Sequence, residues 1–263
     1  MRYLNKNNLA VLLNAISAPL TAFQAWKAAF QPVDRRYATQ GQWVCGRLPR
    51  RPLEELFPAA IETDLKIRRA GDRLWGMSIT VEELCALLTM AKALDARNVL
   101  EIGTWDGNTA LNLAENIRGT ITTVDLPPDH ADKTSAVYEG VPLNLTPREE
   151  MGRQLAAGNG KVRQVFGDSA RLDWSTLGGP FDLVFIDACH QEPYVRSDTG
   201  NALRHVRRGG LIVWHDYGMV EVVSNVVDEV ANRPGWSAFA IEGTRLAVAW
   251  EGESGPSVER PER

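Results

Sequence analysis

The sequence predicts an α/β protein built on a mostly parallel sheet of seven strands, with helices on both faces. Short apolar, β-branched runs alternate with amphipathic helical patterns from residue 80 onward, which is typical of successive βα units. The run NVLEI at residues 98–102 leads through a glycine turn directly into a helix. The last two runs, at residues 236–241 and 245–250, flank Glu-Gly-Thr and predict a terminal antiparallel hairpin.

The other elements follow in a regular order. Thr80 and Glu83 have the spacing of a capping box ahead of an amphipathic helix. Helices are also predicted from about Gly107, from Thr146-Pro147, and at residues 192–206 and 220–231. Before the hairpin, strands are predicted at residues 98–102, 120–124, 161–166, 181–186 and 211–214. Residues 127–145 carry prolines and charges without periodicity and are predicted to form a long loop.

Three segments are predicted along the chain. Residues 1–75 have apolar positions at helical spacing and are predicted to form an N-terminal helical extension. This extension could be a lid, an oligomerisation surface or a layer packed on the body of the same chain. Arg47, Arg50 and Arg51 lie among prolines and predict a solvated connector, although they could also contact an acidic substrate. Residues 76–250 are expected to form the ligand-binding domain, and the polar residues 251–263 a disordered tail.

Composition and charge exclude several classes of protein. The formal net charge of -4 gives no overall attraction to nucleic acid or to anionic membranes. The apolar run at residues 9–20 is too short and too interrupted to span a bilayer, and no clean signal-peptide cleavage site follows it. Three scattered cysteines indicate neither a disulfide framework nor a zinc site. We therefore expect a cytoplasmic protein with reduced thiols.

A candidate ligand-binding turn lies at residues 98–107, NVLEIGTWDG. Gly103 and Gly107 are separated by three residues, whereas the dinucleotide fingerprint is G-x-G-x-x-G. The middle glycine of that fingerprint lets the backbone approach a pyrophosphate, so a ligand without phosphate fits this turn better. Glu101 immediately precedes the turn and can receive an amino or other cationic group.

Acidic residues at the ends of later strands extend this candidate site. Asp125 ends the next strand, where a carboxylate can accept hydrogen bonds from both hydroxyls of a ribose. Asp168 and Ser169 end a third strand and could contact an adenine amino group. Three such acids in register with a glycine turn predict a nucleoside ligand.

A second cluster suits catalysis. Asp187 ends one strand, His190 follows three residues later, and His215-Asp216 end the next strand, so these side chains can meet at the carboxyl edge of the sheet. Histidine suits proton removal near neutral pH, and carboxylates can bind a divalent cation that acidifies a hydroxyl group. Asp198 either orients His190 or caps its own helix, and we favour the cap.

The motifs EIGTWDG, VDLP, GDSA, FIDACH and GGLIVWHDY together resemble those of class I S-adenosylmethionine-dependent methyltransferases. More narrowly, they are similar to small-molecule O-methyltransferases, a subgroup that includes cephalosporin-pathway and macrolide-sugar enzymes. The resemblance covers about residues 77–250 and implies a Rossmann-like fold. Trp105 departs from the small residue that is common in the glycine turn, and it could reshape the edge of the pocket.

The resemblance implies a role for most of the candidate residues. Around the methionine part of S-adenosylmethionine it places Glu101, Gly103 and Gly107, with Asp125 on the ribose and Asp168 and Ser169 at the adenine. Thr104 and Asp187 are further candidate cofactor-binding residues. The resemblance implies Mg²⁺ or another divalent cation on Asp187, His215 and Asp216, with His190 as the base. The family has an acidic pair where this chain has His215-Asp216. His215 therefore leaves Asp187 and Asp216 as the surer ligands and suits manganese, iron or zinc better than magnesium.

The leading hypothesis is methyl transfer to a hydroxyl group of a small metabolite, a natural product or a sugar moiety, with His190 and Asp187 as catalytic residues. We expect a homo-oligomer joined through the N-terminal region, and neither nucleic acid nor membrane as a partner. One alternative is a non-catalytic cofactor-binding partner subunit, which His215 favours. Another is a nicotinamide-dependent oxidoreductase, against which the turn spacing and the hairpin argue. Residues 127–150 and the N-terminal zone would line the acceptor pocket but carry no readable code for the acceptor.

Overall fold

The computed structural model describes residues 46–70, 79–127, 137–138, 141–142, 151–155 and 158–252. The predicted helices of residues 1–45, the predicted start of a helix at Thr146 and residues 253–263 of the predicted tail lie outside the described residues.

Five α-helices and ten strands are present in the described part of the chain. The helices are α1 (Leu53–Leu56), α2 (Val81–Ala93), α3 (Asn108–Asn116), α4 (Glu192–His205) and α5 (Glu221–Ala231), and 3-10 turns occupy Pro58–Glu62, Arg153–Leu155 and Trp174–Leu177. The strands are β1 (Arg50–Arg51), β2 (Asn98–Ile102), β3 (Thr120–Asp125), β4 (Val137–Tyr138), β5 (Val141–Pro142), β6 (Val162–Phe166), β7 (Phe181–Ile186), β8 (Val206–Trp214), β9 (Trp236–Ile241) and β10 (Ala247–Glu251). None of the described helices combines the length and apolarity needed to cross a bilayer.

The main sheet confirms the predicted α/β class. Its strand order is β1-β9-β10-β8-β7-β2-β3-β6. Strand β10 runs antiparallel to both β8 and β9, while the other neighbouring strands of this sheet pair in parallel. The predicted seven strands and terminal hairpin are therefore present, and an eighth strand, β1, is added at one edge.

The prediction of a solvated connector at Arg50 and Arg51 is wrong for the backbone. These two residues pair in parallel with Ala240 and Ile241 of β9. Two side chains hold the segment beside the sheet: the Tyr217 hydroxyl accepts a hydrogen bond from the Leu48 N–H at 2.8 Å, and Asp228 accepts one from the Arg47 N–H. Main-chain pairing at an open edge thus overrides the polar character of the arginine side chains.

Strand β8 is longer than the predicted strand at residues 211–214. The pair Gly209-Gly210, which resembles a turn in the sequence, lies within the strand. The strand begins at Val206, and its register with β7 shifts between the Phe181–Val206 and Leu183–Leu211 pairs. Gly209 lies in this irregular part with a φ of +70°. Elsewhere, the predicted loop at 127–145 contains a two-residue ladder in which β4 pairs with β5.

Two apolar layers enclose the sheet, as expected for helices on both faces. Neighbouring residues of one strand alternate between the layers: Val99 packs with α2 and α3, and Leu100 packs with α4 and α5. Helix α2 begins with the predicted capping box, in which Thr80 and Glu83 exchange side chain to backbone hydrogen bonds. Because this helix runs back along the sheet, its N-terminus lies at the carboxyl edge of the parallel strands.

Candidate functional site

Backbone hydrogen bonds bring the strand ends of the main sheet together at its carboxyl edge. The N–H of Gly103 donates to Val124, the N–H of Asp187 donates to Ile102, and the N–H of His215 donates to Ile186. Each bond extends the ladder one step beyond a strand end. The predicted turn and the predicted catalytic cluster are therefore adjacent, as the positions of their residues at strand ends suggested.

The glycine turn has a backbone shape that ordinary residues resist. Gly103 and Gly107 have φ values of +102° and +88°. A Cβ atom on Gly103 would lie 1.9 Å from the carbonyl oxygen of Asp187, so the two chain segments touch through their backbones. Gly107 is the N-cap of α3, so the N-terminal end of this helix lies at the turn, where the Asn108 N–H donates to Asp106 at 3.0 Å.

Glu101 is an almost fully buried carboxyl group beneath this turn. It is 1% exposed and accepts a hydrogen bond of 2.5 Å from the Thr123 hydroxyl, which in turn lies 2.7 Å from the hydroxyl of Thr104. Burial raises the pKa of Glu101 to about 8, and the negative charges of Asp187, Asp125 and Asp106 add to the effect. A cationic group beside Glu101 would favour the ionised form of its carboxyl group.

Asp125 is fixed in place at the end of β3. Its carboxylate accepts hydrogen bonds from the N–H of Trp105 at 3.0 Å and the N–H of Leu126 at 2.7 Å. Trp105 itself has a φ of +48°, and 38% of its surface is exposed. The tryptophan that departs from the family pattern therefore leaves the backbone contact to Asp125 intact and adds an indole at the rim of the turn.

The loop after β6 carries the third predicted acid. The Asp168 carboxylate accepts a hydrogen bond from the Ala170 N–H at 3.0 Å, and Ser169 is buried beside it. The prediction that Asp198 caps its own helix is wrong, because Asp198 lies inside α4, whose N-cap is Gln191. Asp198 is instead hydrogen-bonded to Ser169, and burial raises its pKa to about 7.

The second cluster contains a set of donor atoms close enough to share one metal ion. Asp187, His190 and Asp216 each offer a ligand atom, and these atoms lie within 4.8 Å of one another. His190 Nε2 is 3.0 Å from Asp216 Oδ2. Burial lowers the pKa of His190, but the hydrogen bond and charge of Asp216 outweigh it, and the net effect is a raised pKa. Asp216 has a φ of +58°, an unusual conformation for a residue other than glycine.

His215 is buried between carboxylates on both sides of its ring. Nε2 lies 3.1 Å from Glu83 Oε2, and Nδ1 lies 3.2 Å from Asp187 Oδ1 and 3.3 Å from Asp216 Oδ2. In the described part of the chain, Nδ1 has no partner with hydrogen-bond geometry. Burial opposes a charge on the ring, yet these carboxylates raise the pKa of His215 well above its usual value.

Two further residues of this cluster were missed in the sequence. The guanidinium of Arg245 donates to both oxygens of Glu83 at 2.9 Å, and its Nη1 donates to Asp216 Oδ1 at 3.0 Å. The sequence pattern predicts only a capping-box role for Glu83 and only a strand position for Arg245. The signal present in the sequence was one charged residue directly before each of two apolar runs. Both side chains are buried, with Glu83 1% exposed and Arg245 3% exposed.

The donor set fits a divalent cation. Neighbouring ligand atoms at about 2.0–2.2 Å from one metal ion lie about 3 Å apart, close to the separations of His215 Nδ1 from Asp187 Oδ1 and Asp216 Oδ2. The buried and unpaired Nδ1 is the atom that such an ion would satisfy. His190 Nε2 faces the same Asp216 oxygen.

Comparison with known proteins agrees with this geometry. The family model described as "Methyltransferase domain" matches residues 100–217. The catechol O-methyltransferase of Mycobacterium tuberculosis is 31% identical over 190 residues, which are 67% of this chain and 78% of that protein. The solved O-methyltransferase TomG from Streptomyces achromogenes, in complex with S-adenosylmethionine, is 21% identical with a TM-score of 0.51 over 76% of this chain and 89% of that one, and shares the fold. The chain therefore belongs to the class I S-adenosylmethionine-dependent O-methyltransferases.

Proposed function

We propose that the protein transfers the methyl group of S-adenosylmethionine to a hydroxyl group of a small metabolite, with His190 as the general base. The observation that carries this proposal is the backbone contact between the glycine turn and Asp187, since it joins a methyl-donor pocket to a cluster of proton-accepting groups. A natural product or a sugar moiety is the expected acceptor class. Residues 127–150, most of which lie outside the described residues, would line its pocket.

Each part of the cofactor has a partner in the proposal. Glu101 receives the amino group of the methionine part beside Gly103, Thr104 and Gly107. Asp125 accepts hydrogen bonds from the ribose hydroxyls, which its two backbone contacts orient it to do. Asp168 and Ser169 contact the adenine. The fixed main-chain geometry of the turn and of Asp125 supports these roles, because binding then orders few groups.

His190 removes the proton from the acceptor hydroxyl as the oxygen attacks the methyl carbon. The methyl group leaves the sulfonium, S-adenosylhomocysteine is formed, and the proton stays on the imidazole. Asp216, with Oδ2 at 3.0 Å from Nε2, stabilises the resulting imidazolium. His190 and Asp187 are both partly exposed, so both can face an acceptor.

The proposal includes a divalent cation on Asp187, His215 and Asp216. When bound, such an ion lowers the pKa of a coordinated hydroxyl group and fixes its orientation. Asp187, whose side chain is 27% exposed, is the most accessible of the three. A cytoplasmic location, a homo-oligomeric state and the absence of nucleic-acid or membrane partners remain predictions of the sequence.

Substitution of His190 tests the base. We expect His190→Ala to lower kcat about 10²-fold or more, measured by transfer of labelled methyl from S-adenosylmethionine to catechol and a panel of small phenols, sugars and hydroxy acids. Gln191→Ala changes the exposed neighbour and should keep the wild-type rate. Calorimetric binding of S-adenosylhomocysteine to both variants checks that each is folded. An undiminished rate in His190→Ala would remove the base role.

A further inference from the structure

We infer that Glu83 and Arg245 are positioning residues that hold His215 as a nitrogen ligand, so that the cation site prefers a first-row transition-metal ion to Mg²⁺. The inference rests on the cation site of the proposed function. It extends that site by naming the class of ion and the residues that select it.

The first step is the orientation of the His215 ring. Glu83 Oε2 accepts a hydrogen bond from Nε2 at 3.1 Å, so the ring keeps a proton on Nε2, and Nδ1 is the nitrogen left to bind an ion, which would displace any proton held there. Glu83 cannot turn away, because Arg245 binds both of its oxygens and the Thr80 N–H donates to Oε2 at 2.8 Å. A carboxylate that receives the second N–H of a histidine is the usual outer partner of a metal-binding imidazole.

The second step is the surroundings of the other ring nitrogen, Nδ1. Nδ1 is buried, lacks a hydrogen-bond partner among the described residues, and faces Asp187 Oδ1 and Asp216 Oδ2 at 3.2 and 3.3 Å. Arg245 Nη1 occupies the other Asp216 oxygen, Oδ1, at 3.0 Å. Arg245 therefore fixes two carboxylates at once, Glu83 behind the histidine and Asp216 in front of it.

The third step is charge. Glu83, Asp187 and Asp216 carry three negative charges when ionised, and Arg245 carries one positive charge. The net charge of these four groups is minus two, which one divalent cation would balance once the His215 ring has lost its extra proton, as a metal-binding imidazole must. Buried charges require such compensation, because desolvation makes an unpaired charge costly.

The fourth step is the choice of ion. Mg²⁺ prefers oxygen ligands, whereas an imidazole nitrogen with two carboxylates suits Mn²⁺, Fe²⁺, Co²⁺ or Zn²⁺. Two imidazoles lie beside Asp187 and Asp216, and because His190 is the base of the proposed function, His215 is the one assigned here as the nitrogen ligand. The ring is held from behind by a charged pair, so the nitrogen cannot be withdrawn to leave an oxygen-only site.

Binding of Mn²⁺ and of Mg²⁺ to metal-free protein, measured by calorimetry with S-adenosylhomocysteine present, tests the inference. We expect wild type to bind Mn²⁺ at least 100-fold more tightly than Mg²⁺, about 2.7 kcal/mol at 25 °C. Glu83→Gln should lower the Mn²⁺ affinity about 10-fold to 100-fold while the affinity for S-adenosylhomocysteine is kept. Glu82→Gln, on the exposed neighbour in the same helix turn, should change neither value.

A spectroscopic measurement keeps the test valid if Glu83→Gln fails to fold. Pulsed electron paramagnetic resonance of bound Mn²⁺ should show coupling to ¹⁴N in wild type and in His190→Ala. The coupling should disappear in His215→Asp, which should also bring the Mn²⁺ and Mg²⁺ affinities closer together. Nitrogen coupling that survives in His215→Asp, or equal affinities for the two ions in wild type, would overturn the inference.

The two proposals fail in different ways. If metal-free protein binds no divalent ion but His190-dependent methyl transfer persists, the inference is wrong and methyl transfer stands without its cation. If Mn²⁺ is bound through His215 but no hydroxyl acceptor is methylated, the inference stands and the proposed reaction is wrong.

Discussion

Glu101 illustrates how much a single side chain of this site depends on its surroundings. Its carboxyl group is buried, faces Thr123, and has a pKa raised to about 8 from an ordinary value of 4.5. Between these two pH values the folded protein holds a proton that the unfolded chain has released. The free energy of unfolding therefore falls as the pH rises from about 4.5 to about 8. Because burial disfavours the ionised carboxylate of Glu101, we expect the positively charged amino group of the cofactor to lie beside it.

Glu101→Gln separates stability from binding. We expect the variant without cofactor to gain stability over wild type as the pH rises from 5.5 to 8.5, measured by urea denaturation at both values. The same variant should bind S-adenosylhomocysteine about 10-fold or more weakly, because a charge-assisted hydrogen bond is lost. A stability difference independent of pH would contradict the raised pKa.

The residues of the site differ in how far the sequence predicts them. Asp125 and Asp187 are predictable because each ends an apolar run, and parallel strands end at one edge of a sheet. Glu83 and Arg245 are not, because their contact depends on the order of the strands and on the reversed direction of β10. That reversal brings the start of β10 to the same edge at which the other strands of the main sheet end.

Among the elements, β1 depends most on a few polar contacts. It has two residues, and the segment before it is tied to the body by Tyr217 and Asp228. The Tyr217 hydroxyl donates to Asp228 at 2.6 Å and accepts from the Leu48 N–H at 2.8 Å, so a single oxygen links three segments. Pairing of this kind leaves no periodic pattern in the sequence, which explains why the regular strands were predicted and β1 was not.

Tyr217→Phe removes this oxygen with little change in shape. We expect a loss of roughly 1 to 3 kcal/mol in the free energy of unfolding, since the buried Leu48 N–H is left without an acceptor. Urea denaturation at neutral pH measures the loss. Tyr194→Phe is the matched control, because its hydroxyl makes a longer contact of 3.4 Å with Asp168. Equal effects of the two substitutions would show that the link to β1 contributes little.

At the scale of the whole molecule, the two apolar layers enclose the sheet, and the order of its strands determines the edge where the candidate site lies. Alternation and helical spacing predict the layers, so the α/β class follows from the sequence. The acceptor does not, because residues 127–150, which are proposed to line its pocket, have no repeating pattern in the sequence. The family assignment also decides between a methyltransferase and the nicotinamide-dependent oxidoreductase that the sequence left open.

Ligand-induced stabilisation of the whole chain tests the cofactor. S-adenosylhomocysteine at 100 times its Kd should add about 2.7 kcal/mol to the free energy of unfolding, seen as a higher Tm in thermal melting. NAD at the same concentration should leave the Tm unchanged, because the turn lacks the middle glycine of a pyrophosphate site. A comparable rise with NAD would contradict the assignment of this turn.

The contact between Gly103 and Asp187 has a consequence for redesign of the acceptor. Because the two segments meet through main-chain atoms, no side chain acts as a spacer between the glycine turn and the end of β7. If the proposed function holds, substitutions in the acceptor pocket would change which alcohols enter and leave this spacing unchanged. A library for altered specificity should keep Gly103, where one added carbon would lie 1.9 Å from the Asp187 carbonyl oxygen.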